Sequence, residues 1–275
     1  MKKTKRVRIL SLELDPITQQ ELRRTIGAWL TGPRQSTRII VKPYVEFFLS
    51  AETDETLRRA INQADQVVAD GISAQWAGAY LSQSHHGLWF WLKSLIFDLR
   101  DPAWLASALP ERGAGVDSTH ALLVEAAQHG WQVGILGGPH DITRTKHAVQ
   151  ERYPLLQFSH IWSGYYKSQK VADLIKSIKQ AKLDILFVAL GHPKQELFMA
   201  HHKSDNLARI MIGEGGTFDY DQMGGTIKRA PSWLRHIGLE WIWRFVMQPS
   251  RFKRQLAVPR FMWQIYLEGQ KKKKR

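Results

Sequence analysis

Apolar and polar residues alternate in two different patterns between residues 7 and 212. Short apolar runs are separated by longer segments, such as 56–64, 120–129 and 168–181, in which apolar side chains recur every three or four residues. The short runs predict buried strands and the longer segments predict amphipathic helices. Alternating strands and helices predict an α/β fold, with a Rossmann-like, mostly parallel sheet between helices on both faces. The predicted strands are 7–12, 37–41, 66–69, 132–136, 156–161, 184–190 and 209–212.

The pattern changes after residue 213, where the strand-like runs stop. Residues 231–267 have the spacing of two or three helices and are rich in tryptophan and arginine. We therefore divide the chain into an α/β core over residues 1–227 and a short, basic, aromatic helical appendage with a lysine-rich tail over residues 228–275.

The composition limits the class of protein and its location. The chain has 275 residues, of which 44% are hydrophobic, and no cysteine, so it can bury one core but has no disulfide or thiolate metal site. Its basic N-terminus is followed by a short apolar stretch that contains Glu13 and Asp15, unlike a signal peptide. No run approaches the roughly 20 apolar residues of a spanning helix. We expect a cytoplasmic protein with a peripheral contact to the inner face of the cell membrane.

Positive charge is concentrated at the C-terminal end. The formal net charge is +14, and residues 228–275 contain thirteen Lys or Arg against two acids. A local positive field attracts a polyanion, either nucleic acid or an anionic lipid surface. A solvated tail would explain residues 271–275 but not the aromatic-rich stretch before them. Because cations are interleaved with bulky apolar residues, the sequence favours an anionic membrane surface and no nucleic acid.

Residues 83–110 contain an apolar segment with a helical pattern. Its larger apolar residues recur at helical spacing and form one stripe, with Trp89 and Phe90 beside it and Lys93 and Arg100 at its edge. Two interpretations are equally favoured: a helix docked on the core, or a helix that lies in a membrane interface. The stripe consists of Leu88, Trp91, Leu92, Leu95, Ile96 and Leu99.

Candidate chemistry lies just after the predicted strands, where parallel α/β sheets bind their ligands. Asp70 follows a buried run and precedes a helix, so it could accept a proton from a substrate hydroxyl. Aspartate is also a common helix N-cap, and the loop alone favours that role. Gly137 and Gly138, and later Gly215 and Gly216, would let the backbone approach a phosphate, although ordinary tight turns would look the same.

A further loop carries a group of polar residues after the most hydrophobic strand. Lys194 could offset diphosphate charge, and Gln195 could hydrogen-bond a sugar or a base. Two cations and a proline, Lys228, Arg229 and Pro231, open the appendage. Taken one by one, such residues are more often ordinary surface polar groups.

Taken together, these segments resemble the WecG/TagA/CpsF family of glycosyltransferases. The resemblance covers residues 9–261 and includes an R-x-x-G-x-D segment at Arg112, Gly115 and Asp117. The segments that carry it, in order, are 69–71, 190–196, 213–219, 228–233 and 238–241.

The resemblance implies an activity. Members of this family transfer an N-acetylmannosamine-type sugar from a UDP donor to N-acetylglucosamine on a polyprenyl diphosphate, with inversion and without a metal. We therefore expect an N-acetylhexosamine-type sugar, with N-acetylmannosamine or its uronic acid favoured, and no cofactor. We also expect a role in cell-surface polysaccharide synthesis, and a homo-oligomer is compatible with the sequence. The family's base falls on Asp70, which reverses the preference for a cap, and its donor-site glutamine falls on Gln195.

The expected binding residues fall into two groups. The donor group is Gly137, Gly138, His192, Lys194, Gln195, Glu196, Glu214, Gly215, Gly216 and Asp219. The group for the diphosphate or the acceptor is Lys42, Tyr44, Arg112, Arg229, Arg235, Arg244 and Arg251. Lys42 and Tyr44 stand where many family members have threonine and asparagine, which leaves the identity of the sugar open. The stretch over residues 83–110 is also longer than the usual connection in the family, so the resemblance implies an insertion there.

Two rival functions remain at this point. The net charge of +14 and eleven tryptophans would also suit a nucleic-acid-binding protein. A nucleotide-sugar epimerase or dehydrogenase would share the fold class, but the dinucleotide-binding glycine fingerprint is missing.

Overall fold

A sheet of six parallel strands forms the centre of the computed structural model, in the order β4-β3-β8-β7-β5-β6. The α/β class predicted from the sequence is therefore confirmed. The strands are β3 (Arg38–Val41), β4 (Gln66–Val67), β5 (Val133–Gly137), β6 (Phe158–Trp162), β7 (Leu183–Ala189) and β8 (Ala208–Gly213). The structure describes residues 5–34, 36–96, 98–113, 115–138, 141–165, 170–231, 243 and 256–273.

The first predicted strand, 7–12, is wrong as a single element of this sheet. The chain forms instead a separate antiparallel hairpin of β1 (Val7–Ile9) and β2 (Leu12–Leu14). Leu10 adopts a left-handed φ of 52° in the turn between them. The guanidinium of Arg6 anchors the hairpin by donating to the carboxylate of Asp15 at 2.9 Å and to the carbonyl of Ala64 at 2.9 Å.

Helices cover both faces of the sheet. Alternate residues of β7 point to opposite faces, as a strand requires. Ile185 and Phe187 are buried against α1, α7 and α8, whereas Leu186 and Val188 share a core with residues of α2, α3, α4, α10 and α11. The helices are α1 (Gln19–Thr31), α2 (Val45–Thr53), α3 (Glu55–Asn62), α4 (Ile72–Ser82), α5 (Leu88–Ile96), α6 (Pro102–Leu105), α7 (Gly115–His129), α8 (Ile142–Arg152), α9 (Val171–Gln180), α10 (Lys194–His201) and α11 (Ala257–Lys273).

The segment predicted as an insertion contains α5, and one face of this helix docks on the core. The indole N–H of Trp91 donates to the carbonyl of Met262 at 3.2 Å, and that of Trp76 donates to Ser94 Oγ at 3.1 Å. The opposite face of α5 stays exposed, with Leu88 and Trp89 among its side chains. Docking on the core therefore accounts for one face of the predicted stripe only.

The C-terminal helix α11 packs against α2 and α4, with the Phe261 and Phe48 rings 5.1 Å apart. It continues through part of the lysine run, beyond the predicted end at residue 267. The other helices predicted over residues 231–267 lie largely outside the described residues. Among the residues that are described, no helix has both the length and the apolar character needed to cross a membrane.

His86 lies buried beneath α11, next to Gly269. Neither ring nitrogen has a hydrogen-bond partner among the described residues. Burial, followed by the positive charge of Lys272, lowers the pKa of His86 below its usual value. The unfolded chain therefore binds this proton more readily than the folded protein, and stability is lost as the pH falls below about 6.5.

We expect the melting temperature to fall between pH 7.5 and pH 5.5, and to fall less in His86→Leu. Each unit of pKa difference is worth about 1.4 kcal/mol. Part of the dependence should remain, because burial also lowers the pKa of His120. The control is His147→Leu, since the His147 side chain is exposed on α8 and His147 is not among the residues that shift the pKa of His86. Equal pH dependence in wild type and His86→Leu would contradict this account of the His86 pKa.

Candidate active site

Five loops meet at one edge of the sheet. The strands β4, β3, β8, β7 and β5 are parallel neighbours, so the loops that follow them emerge side by side. These loops carry most of the residues singled out in the sequence within the described ranges. The predicted grouping therefore has a physical basis in strand order, which the sequence alone does not provide.

Asp70 lies three residues after β4, in the first of these loops. Its backbone N–H donates to the carbonyl of Pro43 at 3.0 Å, which joins this loop to the one after β3. The N-cap position of α4 belongs to Gly71, with φ 83°, and not to Asp70. The N–H of Gly113 donates to the carbonyl of Ala69 at 2.7 Å and brings the segment that contains Arg112 alongside.

The N-terminus of α7 faces two carboxylates. A Cβ built on Gly115 would lie 3.9 Å from Asp70 Oδ2 and 3.5 Å from Glu214 Oε2. These two carboxylate oxygens are therefore at most 7.4 Å apart, the sum of the two distances. Because the N-terminus of a helix carries a partial positive charge, it stabilises anionic groups at this point.

Lys42 and Glu214 form a buried ion pair beside this helix terminus. Their side chains are only 6% and 3% exposed. The Lys42 ammonium also lies 3.3 Å from Ser118 Oγ, and the hydroxyl of Thr217 donates to Glu214 Oε2 at 2.6 Å. The charge of Lys42, a predicted ligand of the diphosphate or acceptor, is thus balanced by an internal carboxylate.

The loop after β7 buries a second polar cluster. Nδ1 of His192 lies 3.0 Å from Oε2 of Glu196, and the His192 ring stacks on Phe47 with centroids 4.0 Å apart. The hydroxyl of Tyr44 donates to Glu46, and its ring lies edge-on to His192 at 6.5 Å.

Three buried atoms of this cluster have no hydrogen-bond partner among the described residues: His192 Nε2, Gln195 Oε1 and Glu196 Oε1. Leaving a buried polar atom without a hydrogen bond costs about 1–3 kcal/mol, so such an atom usually bonds to water or to a ligand. Gly215 packs against this cluster, because a Cβ there would lie only 2.6 Å from Gln195 Oε1. The arrangement suits a ligand that offers several hydrogen-bonding groups.

The two predicted phosphate-binding glycines, Gly137 at the end of β5 and Gly138 directly after it, form a tight turn against β7. A Cβ on Gly137 would lie 2.4 Å from the carbonyl oxygen of Ala189, which excludes any larger residue. The N–H of Gly138 donates to the same carbonyl at 3.0 Å. That N–H is therefore already bonded within the protein, and contact of Gly137 or Gly138 with a donor stays a prediction.

Arg229 forms an ion pair with Asp117 in the first turn of α7. Its two terminal nitrogens donate to the two carboxylate oxygens of Asp117 at 2.7 and 2.6 Å, a bidentate geometry. This contact brings the start of the appendage within one helical turn of Gly115, and hence close to Asp70 and Glu214.

The remaining predicted residues differ in solvent exposure, and three of them are not among the described residues. Lys194 is exposed at the start of α10, whereas Gly216 and Asp219 are half-buried in the turn after β8. Arg112 is half-buried. Arg235, Arg244 and Arg251 lie outside the described residues.

Sequence reasoning missed two hydroxyls and one ring in this site. Ser118 and Thr217 contact the buried ion pair, and Phe47 stacks on His192. Thr217 stands within one of the recognised segments, so its proximity to glycines was a usable signal. Ser118 and Phe47 sit in ordinary helical patterns and gave none.

Within the described part of the chain, no group of three or more His, Asp or Glu side chains is arranged to hold a metal ion.

Comparison with a family model decides the classification. The model of the Glycosyl transferase WecG/TagA/CpsF family matches residues 7–87 and 103–275. The chain belongs to this family. It is therefore a glycosyltransferase, which favours the transferase over the nucleic-acid-binding protein and the epimerase. The family model leaves residues 88–102, which include α5, unmatched.

Relatives from Staphylococcus aureus are similar over nearly their full length. Those from strains MW2 and NCTC 8325 / PS 47 are each 29% identical over 272 residues, covering 98% of this chain and 96% of the relative. The relative from strain MRSA252 is 28% identical over the same length. All three are named N-acetylglucosaminyldiphosphoundecaprenol N-acetyl-beta-D-mannosaminyltransferase.

The buried ion pair yields a stability prediction. Lys42→Met leaves the Glu214 carboxylate buried without its counter-charge and should lower the free energy of unfolding by about 3–5 kcal/mol. Adding Glu214→Gln should restore most of that loss, because the buried charge is removed. Urea unfolding of the single and double variants measures both effects.

The control is Lys203→Met, which removes a half-exposed partner of Asp65 and should cost under about 1 kcal/mol. A Lys42→Met protein as stable as wild type would show that the ion pair is not required.

Proposed function

We propose that this glycosyltransferase moves an N-acetylmannosamine-type sugar, or its uronic acid, from a UDP donor to N-acetylglucosamine on a polyprenyl diphosphate. The names of its relatives support N-acetylmannosamine as the sugar and a polyprenyl-diphosphate-linked N-acetylglucosamine as the acceptor. The observation that carries the proposal is the position of Asp70 beside the α7 terminus, on the same sheet edge as the unsatisfied atoms of the β7 loop. The product would serve cell-surface polysaccharide synthesis.

Asp70 acts as the general base in this proposal. Its carboxylate takes the proton from the attacking hydroxyl of the acceptor while that oxygen forms a bond to the anomeric carbon. The bond from the anomeric carbon to the phosphate oxygen breaks at the same time, and UDP leaves with the electron pair. Attack on the face opposite the leaving group inverts the anomeric centre.

Donor recognition is assigned to the cluster after β7 and the turn after β8. Gln195 Oε1 and Glu196 Oε1 accept hydrogen bonds from hydroxyl or N–H groups of the donor, and His192 Nε2 forms a hydrogen bond with the same ligand. Glu196 Oε2 lies 3.0 Å from His192 Nδ1 and so fixes the orientation of the His192 ring. Lys194, exposed at the start of α10, meets the diphosphate charge.

Departure of UDP requires stabilisation of two phosphates. We assign this task to arginines. Arg112 and Arg229 are the candidates among the described residues, and the sequence adds Arg235, Arg244 and Arg251. A guanidinium can bind a phosphate through two parallel hydrogen bonds. In many other transferases, a metal ion stabilises the leaving diphosphate instead. The proposal therefore needs no metal. Because a polyprenyl acceptor stays in the bilayer, the enzyme works at the inner face of the cell membrane.

Asp70→Asn should slow turnover by roughly 10²–10⁴-fold, the usual contribution of a positioned general base. Binding of UDP, measured by calorimetry, should stay close to wild type because the amide keeps the shape of the carboxylate. The matched control is Asp173→Asn, since Asp173 is exposed on α9. Turnover of Asp70→Asn within a few-fold of wild type would contradict the assignment.

Arg229→Lys should lower the transfer rate about tenfold or more. It keeps the positive charge but loses the bidentate geometry, and a hydrogen bond to a charged group is worth about 1.5–3 kcal/mol. Asp117→Asn tests whether Arg229 acts directly on the diphosphate or only through its contact with Asp117, because this variant removes the carboxylate and keeps the arginine. Similar losses in the two variants would mean that Arg229 acts through Asp117 and not on the diphosphate.

Transfer by the wild-type enzyme should continue in EDTA, because the proposed stabilisation of UDP comes from arginines. Loss of transfer in EDTA, restored by added Mg²⁺ or Mn²⁺, would contradict the metal-independent scheme.

A further inference from the structure

The outer face of α5 exposes large apolar side chains to solvent. Trp89 is 83% exposed, Ile96 is 54% exposed and Leu88 is 47% exposed. Residues 88, 92 and 96 are four apart and share one side of the helix. A soluble surface rarely groups several such side chains without a partner. This face also lies in residues 88–102, which the family model does not match.

The exposed face is held outward by a firmly packed inner face. The Trp91 indole donates to the carbonyl of Met262, and Ser94 accepts from Trp76. The Phe90 ring stacks on Tyr80 with centroids 5.8 Å apart. Since these contacts use the inner residues of α5, its outer residues cannot turn inward without breaking them.

The apolar surface continues from α5 onto α11. The Trp91 ring lies 6.3 Å from the Trp263 ring and 5.6 Å from the Tyr266 ring. Trp263 is 50% exposed, and Leu267 one turn later is also exposed. We call the combined patch the α5–α11 surface. It consists of Leu88, Trp89, Leu92, Ile96, Trp263 and Leu267.

Cations border the α5–α11 surface, and their side chains are more exposed to solvent than the acidic side chains with which they pair. The Lys93 side chain is 60% exposed, whereas its partner Asp98 is 15% exposed. Lys271 is likewise more exposed than its partner Glu268, and Arg260 is exposed on α11. The border thus presents positive charge around an apolar centre, which complements an anionic lipid surface.

We propose that the α5–α11 surface docks on an anionic lipid bilayer. This inference rests on the proposed function, because an acceptor carried on a polyprenyl chain cannot leave the membrane. Aromatic rings such as Trp89 and Trp263 favour the interface between headgroups and acyl chains, and the bordering cations meet anionic headgroups. A nucleic-acid groove would leave the apolar centre of the surface unmatched.

Co-sedimentation of the full chain with vesicles tests the surface directly. We compare vesicles of equal parts phosphatidylglycerol and phosphatidylcholine with vesicles of phosphatidylcholine alone. Wild type should bind the anionic vesicles more strongly, and Trp89→Ser combined with Ile96→Ser should weaken that binding about tenfold or more. The matched control is Leu155→Ser, which removes a residue that is 76% exposed outside the surface.

Three outcomes would overturn the proposal. The first is equal vesicle binding by wild type and the Trp89→Ser/Ile96→Ser variant, and the second is no vesicle binding by wild type. The third is a wild type that dimerises without lipid and a variant that is monomeric, with vesicle binding unchanged, since a second copy of the chain would then be the occupant. Sedimentation velocity measures the oligomeric state.

Failure of the proposed function gives a different result. Transfer to a short-chain, water-soluble diphosphate acceptor, measured without vesicles, should be the same in wild type and in the Trp89→Ser/Ile96→Ser variant. If neither protein transfers sugar but the variant still loses vesicle binding, the lipid surface is supported and the proposed reaction is wrong. If both transfer sugar and both bind vesicles equally, the reaction stands and the surface is wrong.

Discussion

The parallel direction of all six strands of the main sheet is the constraint on which the site depends. Every strand of such a sheet must return through a crossover, so each strand ends at the same edge. The backbone groups along β7 and β8 are paired and their side chains are buried in apolar surroundings. Polar side chains can therefore gather only where the strands stop. Asp70, Glu214 and His192 all lie there.

Charge balance at this edge follows from the buried pair of Lys42 and Glu214. Two carboxylates, on Glu214 and Asp70, face the N-terminus of α7 within 7.4 Å of each other. Like charges repel each other, and a cation beside one of them reduces that repulsion. Lys42 pairs with Glu214 from the neighbouring strand. A residue that departs from the familiar family pattern thus balances one of the two carboxylates at this edge.

The sequence predicted the sheet and the loops well because both depend on local pattern. The apolar run that became β7 is continuous, and a buried parallel strand has that appearance in any context. The hairpin of β1 and β2 was missed because its turn, at Leu10 and Ser11, contains no glycine, proline or asparagine to mark it.

Contacts between distant residues were beyond the reach of local pattern. Lys42 and Glu214 are 172 positions apart, and Arg229 and Asp117 are 112 positions apart. The family resemblance placed Lys42 and Arg229 near charged substrate groups, but it could not show that folding also gives each of them an internal carboxylate partner. Similarly, the apolar stripe of α5 could not be divided into a docked and an exposed face until the position of α11 was known.

The unsatisfied atoms of the β7 loop have a consequence for the balance between stability and activity. Among the described residues, the buried atoms His192 Nε2, Gln195 Oε1 and Glu196 Oε1 have no hydrogen-bond partner, and an atom left in that state costs about 1–3 kcal/mol. Folding tolerates this cost because the side chains are tightly packed, and a Cβ on Gly215 would lie only 2.6 Å from Gln195 Oε1. A ligand that satisfies these atoms recovers that cost as binding free energy. In the proposed reaction, rigid placement of these groups on a stable sheet edge is what would let the site bind a polar sugar nucleotide in competition with water.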